Sequence, residues 1–140
     1  MKICTSCGKS LKNVQILYCS NLCQKNHEYA DYIKNWKSGS VNGTRGKSTF
    51  NMSNHVIRYI FDKYDSKCAR CGWSEMNKQS MSIPLEIDHI DGNHENNAET
   101  NLILLCPNCH SLTPTYKNSN KGHGRGWRRE KYVKIVEVPL

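Results

Sequence analysis

The sequence predicts a small α+β fold in which one β-hairpin and three short helices are held together by cysteines. Three observations carry that expectation. Eight cysteines fall within 140 residues, in two sets of four. Apolar residues recur at helical spacing in two stretches, and two short apolar runs flank a loop dense in turn-forming residues. With 37% hydrophobic and 9% aromatic positions and a mean hydropathy of −0.71, the chain can build one ordinary core or two very small ones. No run approaches the roughly 18 consecutive apolar residues needed to cross a bilayer, and the opening MKICTSCGKS lacks the apolar stretch of a secretory signal. An intracellular, cytoplasmic protein with no membrane partner is expected.

The elements follow in order. From Gln24 to Trp36, residues Tyr29, Tyr32, Ile33 and Trp36 make one face of a helix that Gly39 should stop. Ser38 to Thr49 holds three glycines and several hydroxyl residues with no apolar pattern, which reads as a linker. Residues 1–37 are then an N-terminal module and 38–52 a flexible connection. Ser53 or Asn54 should cap a second helix whose stripe is Val56, Ile57, Ile60, Phe61 and Tyr64, ending near Asp65 and Ser66. The runs Ile83–Ile90 and Leu102–Leu105, separated by DGNHENNAET, read as a hairpin with a long loop. Pro107 is placed for the first position of a third helix, running to about Leu112. Residues 53–120 thus form a second domain and 121–140 a basic tail, whose closing YVKIVEVP alternates as an edge strand would and equally fits a disordered end.

In a reducing compartment cysteines serve as metal ligands more readily than as disulfides. Cys68/Cys71 and Cys106/Cys109 are two C-x-x-C knuckles bracketing the hairpin, each able to present two sulfurs to one zinc ion, and a closed four-thiolate shell is structural. Cys4/Cys7 and Cys19/Cys23 form a second set. His27 lies four residues after Cys23 on the same helical face, so a shell of Cys4, Cys7, Cys23 and His27 stays open beside the four-cysteine one. Two structural zinc ions are expected, and the small N-terminal module should depend on its metal to fold. Ligation lowers the formal charge from +8 to about +4. Its distribution is telling: residues 1–50 carry eight Lys and Arg against two acids, 51–116 five against eight, and 117–140 seven against two. Basic flanks around an acidic centre suit a protein that grips a polyanion and holds a divalent cation in the middle.

Between the second pair of knuckles stand Glu86-Ile87-Asp88-His89-Ile90-Asp91-Gly92, then Asn101-Leu102-Ile103-Leu104-Leu105-Cys106, then Cys109-His110. A carboxylate beside a histidine at a strand end, faced by a histidine on a helix, can hold a hard cation and a general base a few ångströms apart. DHIDGNHENN, NLILLCPNCH and the flanking knuckles resemble the HNH endonuclease family, in its four-cysteine branch common in phages and mobile elements. The resemblance covers about Ser53 to Asn120. It implies a zinc-stapled ββα-metal core, treble-clef-like, in which Asp88 and His110 hold one Mg²⁺ or Mn²⁺, His89 deprotonates the attacking water and Asn101 braces the loop carrying His89. The N-terminal cysteine module is not part of that motif, and it is a candidate docking site for a second copy or another protein. If the chain is phage-encoded, its compartment is the host cell.

His94 reads as a turn residue near the phosphate or in solvent, and Asn96 and Asn97 as turn formers. Lys117, Lys121, Arg125, Trp127, Arg128 and Arg129 mix cations with an aromatic that can stack on a base, and so are the expected DNA contacts, extended by Lys9, Lys12, Arg45 and Lys47. The rival reading is a non-catalytic zinc-binding nucleic-acid module in which the Asp88/His89 pair is incidental.

Overall fold

The structure, a computed structural model, describes residues 1–47 and 49–117. The basic tail, 121–140, with the expected edge strand near its end, lies outside the described residues. The chain divides into two compact units, Met1–Val41 and the residues from Asn42 on. Among the described residues no helix is long and apolar enough to cross a membrane.

In the first unit a cysteine knuckle precedes helix α1, Asn21–Lys37. The helix starts three residues before the apolar periodicity does, because the Ser20 side chain accepts from the Cys23 amide and so caps it. It ends where expected: the Gly39 and Ser40 amides donate back to Trp36 and Asn35 oxygens. Ile33 and Trp36 are buried with Cys4.

The second unit opens on a loop closed by backbone bonds. The Ser53 amide donates to Gly43 O at 2.8 Å and the Arg45 amide to Asn51 O at 2.7 Å, while Thr44 pairs with Met52. The later part of the stretch read as a linker is therefore tied to the helix that follows it. That helix, α2 (Asn54–Lys63), is capped by Ser53, whose hydroxyl accepts from the His55 amide. Its Val56 and Ile60 are fully buried, which stabilises the unit by about 1.5–3 kcal/mol for each side chain.

Strands β1 (Glu86–His89) and β2 (Leu102–Leu105) pair antiparallel, with Glu86 opposite Leu105, Asp88 opposite Ile103 and His89 opposite Leu102. The first strand is shorter than the apolar run that marks it. Pro84 has no N–H to give a ladder, and the Leu85 amide turns back onto Ile83 O at 2.7 Å. Leu102, Leu104 and Leu105 are buried. Helix α2 packs on β2, and helix α3, Pro107–Ser111, packs on both strands. Cys106 caps α3 through its sulfur, with Pro107 in the first turn. The protein is thus the small α+β fold that the sequence predicts, with strand, strand and helix in that order in its second unit.

Candidate active site

Each of the two units contains one set of four cysteines. In each, a C-x-x-C turn ends in glycine: the Gly8 amide donates to Cys4 O at 2.9 Å and the Gly72 amide to Cys68 O at 2.8 Å. Both glycines adopt a positive φ, 73° and 77°, which a side chain there would strain. The sulfurs of Cys4, Cys7, Cys19 and Cys23 lie within 4.8 Å of one another, as do those of Cys68, Cys71, Cys106 and Cys109. A tetrahedron of sulfurs about 2.3 Å from a zinc ion has edges of about 3.8 Å. Cys7–Cys19 at 3.6 Å and Cys71–Cys106 at 3.7 Å come close to that figure.

Electrostatics point the same way. Burial pushes the Cys68 thiol up, but the amides of Cys106, Cys71 and Arg70 outweigh it and hold the thiol at about 6. Cys4 is brought to about 6 against burial by the amides of Cys19, Cys7 and Ser6. Cys109 is pushed up to about 12 by burial and by the sulfurs around it, and Cys19 to about 12, chiefly by the Cys23 thiol. Four sulfurs packed this closely ionise together only around a cation, so both sets suit zinc. His27 is not in the first set; its ring lies 5.5 Å from that of Tyr18. The four-cysteine shell is therefore the one the fold assembles.

The second set staples the hairpin. Cys68 follows α2, Cys106 lies between β2 and α3, and the Ala69 amide donates to Leu104 O at 2.8 Å. One face of β1 carries Glu86 and Asp88, two residues apart. His110 on α3 stands beside both, with Nδ1 3.5 Å from Asp88 Oδ1 and Nε2 3.4 Å from Glu86 Oε2. Its Nδ1 is buried and has no hydrogen-bond partner among the described residues. A buried ring nitrogen left open beside a carboxylate is a donor pair for a cation. Burial raises the Asp88 carboxyl and Glu86 adds to this, with His110 and His89 opposing them. Charge compensation at that spot is incomplete, which a divalent ion would correct. The residues present therefore fit the metal that the resemblance implies. Tyr116 holds the His110 ring edge-on at 5.2 Å.

His89 ends β1 and its Nε2 lies 2.8 Å from the side-chain oxygen of Asn97. The loop between the strands is organised around Asp91 and Asn101. The Asn101 amide donates to Asp91 Oδ1 and to Asn96 O, each at 2.8 Å, and its own oxygen accepts from the Asp91 amide at 3.0 Å. The Asn96 side chain donates to Asp91 Oδ2 at 2.7 Å. Burial raises the Asp91 carboxyl, but hydrogen bonds from Asn96, Asn93 and Asn101 outweigh it and leave the group below its ordinary value. From α2, Tyr59 donates to Glu99 at 2.7 Å and Lys63 lies 3.4 Å from the same oxygen. This anchors the 3₁₀ turn Glu99–Asn101 that leads into β2.

The fold thus brings Asp88, His89, Asn101 and His110 to one end of the hairpin, whereas His94 lies in the loop with its ring 5.5 Å from that of Phe50. Asp91, Asn97 and Glu86 are additions that no spacing announces. Of the expected DNA contacts near the C-terminus Lys117 is described, its ammonium 5.0 Å from the Tyr116 ring centroid, and among those expected to extend the contact Arg45 donates to the Asn54 side-chain oxygen at 2.8 Å. Lys121, Arg125, Trp127, Arg128 and Arg129 lie outside the described residues.

Comparison with known proteins supplies the rest. Residues 68–113 match the HNH endonuclease family. The chain is similar to the H-N-H endonuclease F-TflIV of Escherichia phage T5, with 38% identity over 97 residues. That alignment takes in 69% of this chain and 40% of the T5 protein, so the chain spans less than half of that relative's length. No solved structure matches. Residues 68–113 are a domain of the HNH endonuclease family.

Proposed function

We propose that residues 53–120 hydrolyse phosphodiester bonds in DNA, with His89 as general base and one divalent cation, Mg²⁺ or Mn²⁺, held by Asp88 and His110. The observation that carries this reading is the buried, open Nδ1 of His110 facing the Asp88 carboxylate at 3.5 Å, with His89 following Asp88 in β1. Two protein ligands leave room in a cation's shell for water and phosphate oxygens. When bound, such a cation neutralises charge on the phosphate and stabilises the leaving 3′ oxygen. His89 takes the proton of the attacking water. Asn101 acts at one remove, by fixing the turn that follows His89. The test is incubation of the full chain with supercoiled plasmid and Mg²⁺. Nicked or linear product supports the reading, and intact plasmid favours a non-catalytic nucleic-acid module.

The two cysteine sets hold one structural zinc ion each in this reading. Elemental analysis of the purified protein should find two zinc ions per chain. One ion would remove one of the sets from the account.

Lys117 and the tail residues Lys121, Arg125, Trp127, Arg128 and Arg129 are the proposed DNA contacts. Each phosphate neutralised by Lys or Arg contributes about −0.9 to the slope of log affinity against log salt. Replacing Arg125, Arg128 and Arg129 by Ala should flatten that slope by roughly two to three without changing the cleavage chemistry. An unchanged slope removes the tail from the interface.

A further inference from the structure

The sequence reads Asn97 as a turn former, yet its side chain reaches the histidine assigned the proton transfer. The side-chain oxygen of Asn97 lies 2.8 Å from His89 Nε2, and Asn97 is 3% exposed, so water does not compete for that bond. An amide oxygen can only accept a hydrogen bond. A neutral imidazole carries one N–H and one lone pair, on opposite nitrogens. With Nε2–H donated to Asn97, the lone pair is left on Nδ1.

We infer that Asn97 is the positioning residue for His89, fixing the Nε2–H tautomer and the ring plane so that Nδ1 is presented to water. This rests on the reading of His89 as the base. Asn97 is itself held in place by the loop around it. Its amide donates to Glu95 O at 3.2 Å, the preceding Asn96 is tied to Asp91 through its side chain and to Asn101 through its carbonyl, and Asn101 sits immediately before β2. Two asparagines therefore divide the work: Asn101 shapes the backbone of the loop, and Asn97 grips the ring. A ring that is free to rotate spends less of its time aligned with the attacking water, and misalignment of a proton acceptor lowers turnover without weakening substrate binding.

The experiment is nitrogen-15 and proton NMR of the His89 ring in the zinc-loaded full chain, combined with plasmid cleavage kinetics. In the parent protein a ring proton protected from exchange should sit on Nε2. Asn97→Ala should lose that protection and lower kcat at least about tenfold, with KM within twofold. Asn97→Asp keeps an acceptor and cannot donate, so it should retain the protected Nε2–H. This second variant guards against Asn97→Ala failing to fold, and zinc content reports folding in both. A protected proton on Nδ1 in the parent, or an unchanged Nε2–H signal and kcat in Asn97→Ala, overturns the inference. His89→Ala separates this failure from that of the underlying reading. If it abolishes cleavage while Asn97→Ala changes nothing, only the positioning role falls; if it cleaves at the parent rate, both fall.

Discussion

Cys68→Ser is expected to unfold the second unit, which carries the HNH family match, and to lower the zinc content from the proposed two ions per chain to one. Cys68 is buried and ties the segment after α2 to the end of β2 and the start of α3, elements whose shared apolar core is small. Binding energy of a structural zinc is folding energy, and apparent values of about 10–16 kcal/mol are as large as the whole stability of a typical domain, roughly 5–15 kcal/mol. The first cysteine set lies in a separate compact unit, so its ion should remain. Thermal unfolding followed by circular dichroism, with zinc measured on the same sample, checks both parts. A cooperative transition at the parent temperature in the variant would mean that the domain does not need its zinc.

His89→Ala is expected to lose at least about a hundredfold in cleavage rate, since proton abstraction by a positioned base contributes 10²–10⁴. Zinc content, folding and DNA affinity should be those of the parent, because His89 belongs to neither cysteine set and its ring nitrogen bonds to the loop residue Asn97. Asn101→Ala should fall between the parent and His89→Ala. It removes the bonds to Asp91 and Asn96 O that hold the loop while leaving the base in place. Single-turnover cleavage of supercoiled plasmid measures both variants. Equal rates for His89→Ala and the parent would end the assignment of His89.

The elements and ligands that rest on short-range spacing are legible in the sequence. The cysteine knuckles announce both zinc-suited sets, since cysteines three or four residues apart can turn their sulfurs toward one point. The stripe of Val56 and Ile60 announces α2, and Pro107 the start of α3. Boundaries set by single hydrogen bonds are less visible: Ser20 extends α1 backwards, and Pro84 cuts β1 short. Asp91 and Asn97 escape altogether, because each meets partners across a polar loop with no periodicity. Within such a loop an asparagine that shapes the turn and one that reaches a histidine ring look alike as letters. The choice between Cys19 and His27 is also one of three dimensions, as both lie four residues from Cys23 and only the fold sends the His27 ring to Tyr18.

The central claim is that Asp88 and His110 hold a cation and His89 does the proton transfer, so the most direct test separates loss of metal from loss of base. Plasmid cleavage rates would be measured for the parent, Asp88→Ala, His110→Ala and His89→Ala across rising Mn²⁺. Loss of a ligand weakens metal binding and is offset by mass action, whereas a missing base is not restored by more metal. Partial recovery of Asp88→Ala and His110→Ala at high Mn²⁺, with His89→Ala flat throughout, is the expected result. Recovery of His89→Ala alongside them, or cleavage by the parent protein with no divalent cation present, would contradict the account.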